Sequence, residues 1–69
     1  MSEMVTYIRE YRQKTGMKQS ELAERVGVRR ETIIRLEKGQ YNPSLKLAFD
    51  IASVFGVEVE RLFCFKQQP

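Results

Sequence analysis

The chain has 69 residues, 42% apolar and 30% charged, the mix of a folded domain rather than a disordered segment. Twelve Lys plus Arg against nine Asp plus Glu leave a net charge of +3, which permits a nucleic-acid partner without assigning one. With no His and a single thiol, Cys64, neither a disulfide framework nor a Cys/His zinc site forms within one chain. There is no Gly-rich phosphate loop and no nucleophile with a plausible base, so no enzyme, metal site or cofactor is expected. No apolar run approaches a membrane span and the N-terminus lacks a secretory core, so a cytoplasmic protein is expected, with no membrane partner and no small-molecule ligand. One domain over 1–69 fits the length; it buries only about 60% of its unfolded surface, so self-association would help it.

Thr6 is a better helix N-cap than anything before it, which predicts a first helix over about 6–15. At 100° per residue its Ile8, Tyr11 and Thr15 share one stripe, with Arg12 inside it. Gly16, Gly27, Gly39 and Gly56 each follow an apolar-periodic stretch, where helix ends favour a residue that tolerates positive φ. The second helix, about 19–26, turns Leu22, Ala23 and Val26 inward and Glu21, Glu24 and Arg25 outward. The third, about 30–38, buries Ile33 and Leu36 and points Glu31, Ile34, Arg35 and Lys38 away. Pro43-Ser44 places an extended residue before an N-cap, so a fourth helix spans about 44–55. Leu45, Leu47, Ala48, Ile51, Ala52, Val54 and Phe55 make it apolar round more than half its circumference, as a central packing helix should be. A short fifth helix, about 59–62, follows the Gly56-Val57 break. Two arrangements fit the chain ends. Either segments near 2–5 and 63–66 pair as a small antiparallel sheet, or the first helix begins near Glu3 and the tail is irregular.

The stretch Gln19–Gly39 thus reads as two short helices hinged at Gly27-Val28, the second presenting Arg29, Arg30, Arg35 and Lys38. A short helix, a tight turn and a second helix with a charged outer face is one way to bring side chains into a DNA major groove. Arg12 needs an explanation of its own. An unpaired charge in an apolar stripe costs several kcal/mol, so it either pairs with Glu37, on the flank of the third helix, or snorkels to solvent along its aliphatic stem.

The run Arg12, Gly16-Met17, Gln19, Glu21-Leu22-Ala23, Val26-Gly27-Val28, Thr32-Ile33, Leu36-Glu37, Gly39, Asn42-Pro43-Ser44-Leu45, Ala48, Ile51-Ala52, Phe55-Gly56-Val57 and Leu62-Phe63 resembles the Cro/CI-type helix-turn-helix proteins of the XRE family. The resemblance covers residues 8 to 63. It implies an all-α fold of five helices that binds double-stranded operator DNA as a homodimer, with a buried ion pair between Arg12 and Glu37. Tyr11 stands where relatives carry an aliphatic residue. On the DNA side, the resemblance assigns Gln19 to a phosphate and Arg29, Arg30, Glu31, Thr32 and Arg35 to base edges or nearby phosphates. Lys38, Gln40 and Asn42 fall in the loop that grips the backbone. Glu31 and Arg35 also form an i,i+4 pair that would serve as an ordinary surface bridge. Ile34 is either a thymine-methyl contact or an incidental exposed residue. Lys18 and Arg29 depart from the family's Ser, Thr or Asn at the starts of helices two and three. Neither accepts a hydrogen bond from the helix N–H groups, a local stability cost; either both are phosphate contacts or they are drift at tolerant surface caps.

Phe55, Leu62, Phe63 and Phe65 are the expected dimer surface, with Cys64 an inert neighbour. The expected function is a sequence-specific regulator, most simply a repressor on an inverted-repeat operator. The alternatives are a protein-interaction module, such as an antitoxin that masks a partner, and, third, an RNA-binding protein.

Overall fold

The computed structural model describes residues 2–67 as β1 (Ser2–Thr6), α1 (Ile8–Lys14), α2 (Gln19–Val26), α3 (Arg30–Glu37), α4 (Leu45–Phe55), α5 (Val59–Leu62) and β2 (Phe63–Gln67). The domain expected over 1–69 also takes in Met1, Gln68 and Pro69, which lie outside the described residues. Of the two arrangements open to the chain ends, the sheet is the one adopted. β1 and β2 pair antiparallel from Ser2↔Gln67 to Thr6↔Phe63.

That sheet changes the start of α1. Thr6 does not cap the helix; it is the last residue of β1, and its hydroxyl donates to the carbonyls of Leu36 (3.1 Å) and Glu37 (3.4 Å). The helix begins at Ile8 instead, with Tyr7 at the N-cap and no side-chain cap. Thr15 also leaves the expected inner stripe. It is exposed, and its hydroxyl donates to the carbonyls of Arg12 (2.9 Å) and Tyr11 (3.2 Å) past the helix end.

Helices α1 to α4 each end in a glycine at φ between 65° and 72°, closed by a pair of backbone bonds typified by Val28 N–H to Ala23 O and Gly27 N–H to Glu24 O. Gly39 has a second constraint. A Cβ there would lie 2.8 Å from the Met4 carbonyl oxygen, so the turn after α3 approaches β1 as only glycine allows.

The core draws on every helix. Ile8, Leu22, Ile33, Leu36, Ile51 and Leu62 have no exposed surface, and Ala23, Leu47, Ala48, Ala52 and Phe63 complete the cluster. Burial of each large side chain contributes about 1.5–3 kcal/mol. Tyr11 joins the margin by packing on Phe55, ring centroids 5.9 Å apart. The wheel of α4 overstates its inner face: Leu45 is 72% exposed. Ser44 caps that helix through Leu47 N–H to Ser44 Oγ at 3.1 Å.

Candidate nucleic-acid interface

The turn between α2 and α3 is Gly27-Val28-Arg29, just long enough to set two helices at an angle. Ile33 and Leu36 anchor α3 in the core, and the 3.6-residue period therefore turns Arg30, Glu31 and Arg35 out to solvent. Arg29, Lys38, Gln40 and Asn42 are exposed beside them, and Thr32 and Ile34 are half-buried at the edges.

A polar cluster holds the other flank of α3. Arg12 Nε donates to Glu37 Oε2 at 2.7 Å and a terminal nitrogen of Arg12 donates to Oε1 at 3.3 Å, a bidentate pair. The second terminal nitrogen donates to the Met17 carbonyl at 2.9 Å. Gln19 Nε2 donates to Glu37 Oε1 at 3.0 Å. Gln19 was expected to contact a phosphate; in the structure half of its amide is committed inside the protein, to the buried Glu37 carboxylate. Its carbonyl and one N–H remain for a second partner.

The two unusual helix starts share one backbone geometry and differ in compensation. Lys18 and Arg29 both sit at φ −81°, with ψ 156° and 155°, and neither side chain caps its helix. At α2 the Glu21 carboxylate accepts from the Lys18 backbone N–H at 3.0 Å, which is half of a capping box. At α3 no side chain does the equivalent. The first turn of α3 closes through Thr32 N–H to Arg29 O, at 3.0 Å.

Two contacts lie outside the sequence-based expectation. Among the described residues, Glu31 and Arg35 form no salt bridge; Arg35 instead lies over the Tyr41 ring, 5.8 Å from its centroid. Arg9 and Gln13 of α1 join Lys18, Gln19, Ser20, Arg30, Ile34 and Lys38 around an open depression of about 790 Å³, with Arg12 and Glu37 also on its lining. Arg9 and Gln13 are four residues apart and flank Arg12, a spacing that signals a common outer face of α1.

The expected dimer residues separate. Leu62 and Phe63 are 0% and 8% exposed within this protomer's own core, and Phe55 is half-buried against Tyr11, so none of the three forms an open surface. A chain this short needs those rings inside itself. Phe65 alone of the four is exposed, at 56%, and Cys64 beside it is exposed and free.

Among the described residues, no cluster of His, Cys, Asp or Glu is placed to hold a metal ion, and no helix is long and apolar enough to cross a membrane. A helix-turn-helix family model matches residues 8–62. An HTH-type transcriptional regulator of Archaeoglobus fulgidus, itself uncharacterized, is 62% identical over 65 residues, 94% of this chain and 93% of its own. The crystal structure of the restriction-modification controller protein C.AhdI from Aeromonas hydrophila superposes with a TM-score of 0.72 at 31% identity, covering 78% of this chain and 82% of that one. A Bacteroides fragilis protein shares the fold at a TM-score of 0.78 and 24% identity, over 88% of this chain and 98% of its own. By family model, relatives and fold alike, this chain belongs to the XRE-type helix-turn-helix family of DNA-binding transcriptional regulators.

Proposed function

We propose that the chain is a sequence-specific repressor that binds an inverted-repeat operator as a homodimer, with α3 in the major groove. The observation that carries this reading is the division of α3: Ile33 and Leu36 are fixed by the core and Glu37 by Arg12, while Arg30, on the same flank as Glu37, and Arg35 are both exposed to solvent. In the proposed complex these two arginines read base edges, where each good bidentate contact discriminates by about 1–3 kcal/mol. Lys18, Arg29, Lys38, Gln40 and Asn42 lie at the helix starts and the following loop and bind phosphates, as does the free half of Gln19. Glu31 is the one acid among the exposed groups of α3, and Thr32 lies beside it. Glu31 stands near base edges rather than phosphates, since a carboxylate is repelled by the backbone. Two copies of α3 about 34 Å apart would enter successive major grooves.

Selection of binding sites from random duplex DNA, followed by titration at several salt concentrations, tests the proposal. Enrichment of a two-fold symmetric site with a steep salt slope is the expected result. Binding indifferent to sequence would refute it.

A further inference from the structure

Two exposed arginines project from α3, Arg30 and Arg35, and only one of them is held. Arg30 has no salt bridge and no aromatic ring against it among the described residues, whereas the Arg35 guanidinium lies over the Tyr41 ring, 5.8 Å from its centroid. The place of that ring follows from the backbone. Gly39 N–H donates to Leu36 O at 3.0 Å and Gln40 N–H to Arg35 O at 2.9 Å, so the chain doubles back over the last turn of α3. Gly39 is confined on its other side by the Met4 carbonyl. Only Gln40, Tyr41, Asn42 and Pro43 separate this turn from Ser44, which caps α4 through Leu47 N–H. Pro43 fixes its own φ and disfavours helical backbone at Asn42 before it. Tyr41 therefore stands on a short segment tied at both ends, and its side chain has few torsions to order.

We propose that Tyr41 is a positioning residue for base recognition: it holds Arg35 ready for a guanine, so that Arg35 rather than Arg30 sets the strongest preference in each half-site. This rests on the operator reading above and deepens it. The chemistry favours a ring over a carboxylate in this role. Bidentate recognition of the guanine O6/N7 edge needs guanidinium N–H donors that are free and correctly aimed. Glu31, one turn before Arg35, could hold the guanidinium only by occupying those donors, and it forms no salt bridge with it. The π face of Tyr41 attracts the cation through its quadrupole and takes none of them. A flexible arginine loses rotamer freedom when it docks on a base, and the ring removes part of that freedom in advance. Because the loss is incurred only when the base contact forms, lowering it raises affinity for guanine and not for the other bases. A cation–π contact at an exposed site corresponds to about two- to fivefold in an equilibrium constant, and that is the discrimination assigned to the ring. Arg30, with no such restraint, meets the loss in full.

Two measurements test this, one of them without DNA. In NMR spectra of the free protein, the Arg35 side-chain protons should carry a ring-current shift that Tyr41→Phe keeps and Tyr41→Leu removes. Its absence from the wild type would overturn the proposal. In site selection from random duplex DNA, one guanine per half-site should dominate, and Arg35→Ala should abolish that preference and so locate the base. Tyr41→Leu should lower the preference for guanine there by about two- to fivefold, and Tyr41→Phe should retain it. The salt slope, the preferences at other positions and the Tm should not move in either variant. In an Arg35→Ala background, Tyr41→Leu should change nothing further. Tyr41→Phe as impaired as Tyr41→Leu, a loss spread over all positions, or a lower salt slope would make Tyr41 a backbone contact and overturn the proposal. Enrichment by the wild type with no effect of Tyr41→Leu sinks this proposal alone. No enrichment by the wild type sinks the operator reading and this one with it.

Discussion

Arg12→Met is the most informative single substitution, because it keeps the side chain's length while deleting three hydrogen bonds, two to Glu37 and one to the Met17 carbonyl. It leaves the Glu37 carboxylate, whose side chain is 6% exposed, with Gln19 as its remaining donor. Removing one partner of a buried pair costs about 3–5 kcal/mol, and the 13% exposure of Arg12 favours the lower end of that range. About 3 kcal/mol is therefore expected, or a fall in Tm of about 12–24 °C for a domain of this size. Adding Glu37→Met removes the stranded charge and leaves only the Met17 carbonyl and the Gln19 amide without partners. The double variant should then be destabilised by only about 1 kcal/mol, so the coupling between the two sites is about 2 kcal/mol plus whatever Glu37→Met costs alone by stranding the Arg12 charge. Urea titrations followed by circular dichroism, with m-values compared across the four proteins, measure the cycle. A loss under about 1 kcal/mol in Arg12→Met, or a double variant no more stable than the single, would refute the pair as the anchor of α3.

Gly39→Ala and Gly27→Ala share φ of +72°, so both incur the left-handed penalty of about 1–2 kcal/mol; only Gly39→Ala also drives a Cβ toward the Met4 oxygen. Equal losses in parallel melts would show that β1 does not press on that turn. Thr6→Val, nearly isosteric, should cost about 0.5–1.5 kcal/mol through the carbonyls of Leu36 and Glu37, and an unchanged Tm would contradict those two bonds. Arg29→Ser should stabilise the free domain by about 0.5–1 kcal/mol while weakening operator binding and lowering the salt slope by about one. Loss of stability, or binding left intact, would count against it. Tyr41→Leu should relax sequence discrimination by freeing Arg35, and Tyr41→Leu matching wild type in a site-selection profile would remove that role.

Features set by local bonding were legible in the sequence. Gly27, Gly39 and Gly56 stop their helices through bonds that span only a few residues, and Ile33 and Leu36 turn inward by period alone. What escaped depends on distant chain. Thr6 has the chemistry of an N-cap, but the carbonyls it bonds lie 30 and 31 positions away, and no local rule weighs them against a helix start. Periodicity marks Leu62, Phe63 and Phe65 as apolar without dividing them between this protomer's core and a partner. That division follows from where the helical body ends. The same limit hid Tyr41, which reaches Arg35 across the turn after α3, and Arg9 with Gln13, which matter only because α1 lies beside α2 and α3.

These contacts are distributed unevenly along α3. Glu37 is gripped by Arg12 and Gln19, the carbonyls of Leu36 and Glu37 receive the Thr6 hydroxyl, and Gly39 sits against Met4, so the ties beyond the Ile33 and Leu36 core contacts gather at the C-terminal end. At the other end, Arg29 leaves the helix without a side-chain cap. A helix fixed at one end has a set direction, while free N–H groups and a cation at its start face solvent, where an anion is favoured. Substitutions at the fixed end should therefore change stability and binding together. Those at Arg29 should move the two in opposite directions, and that sign difference separates a scaffold position from a phosphate contact.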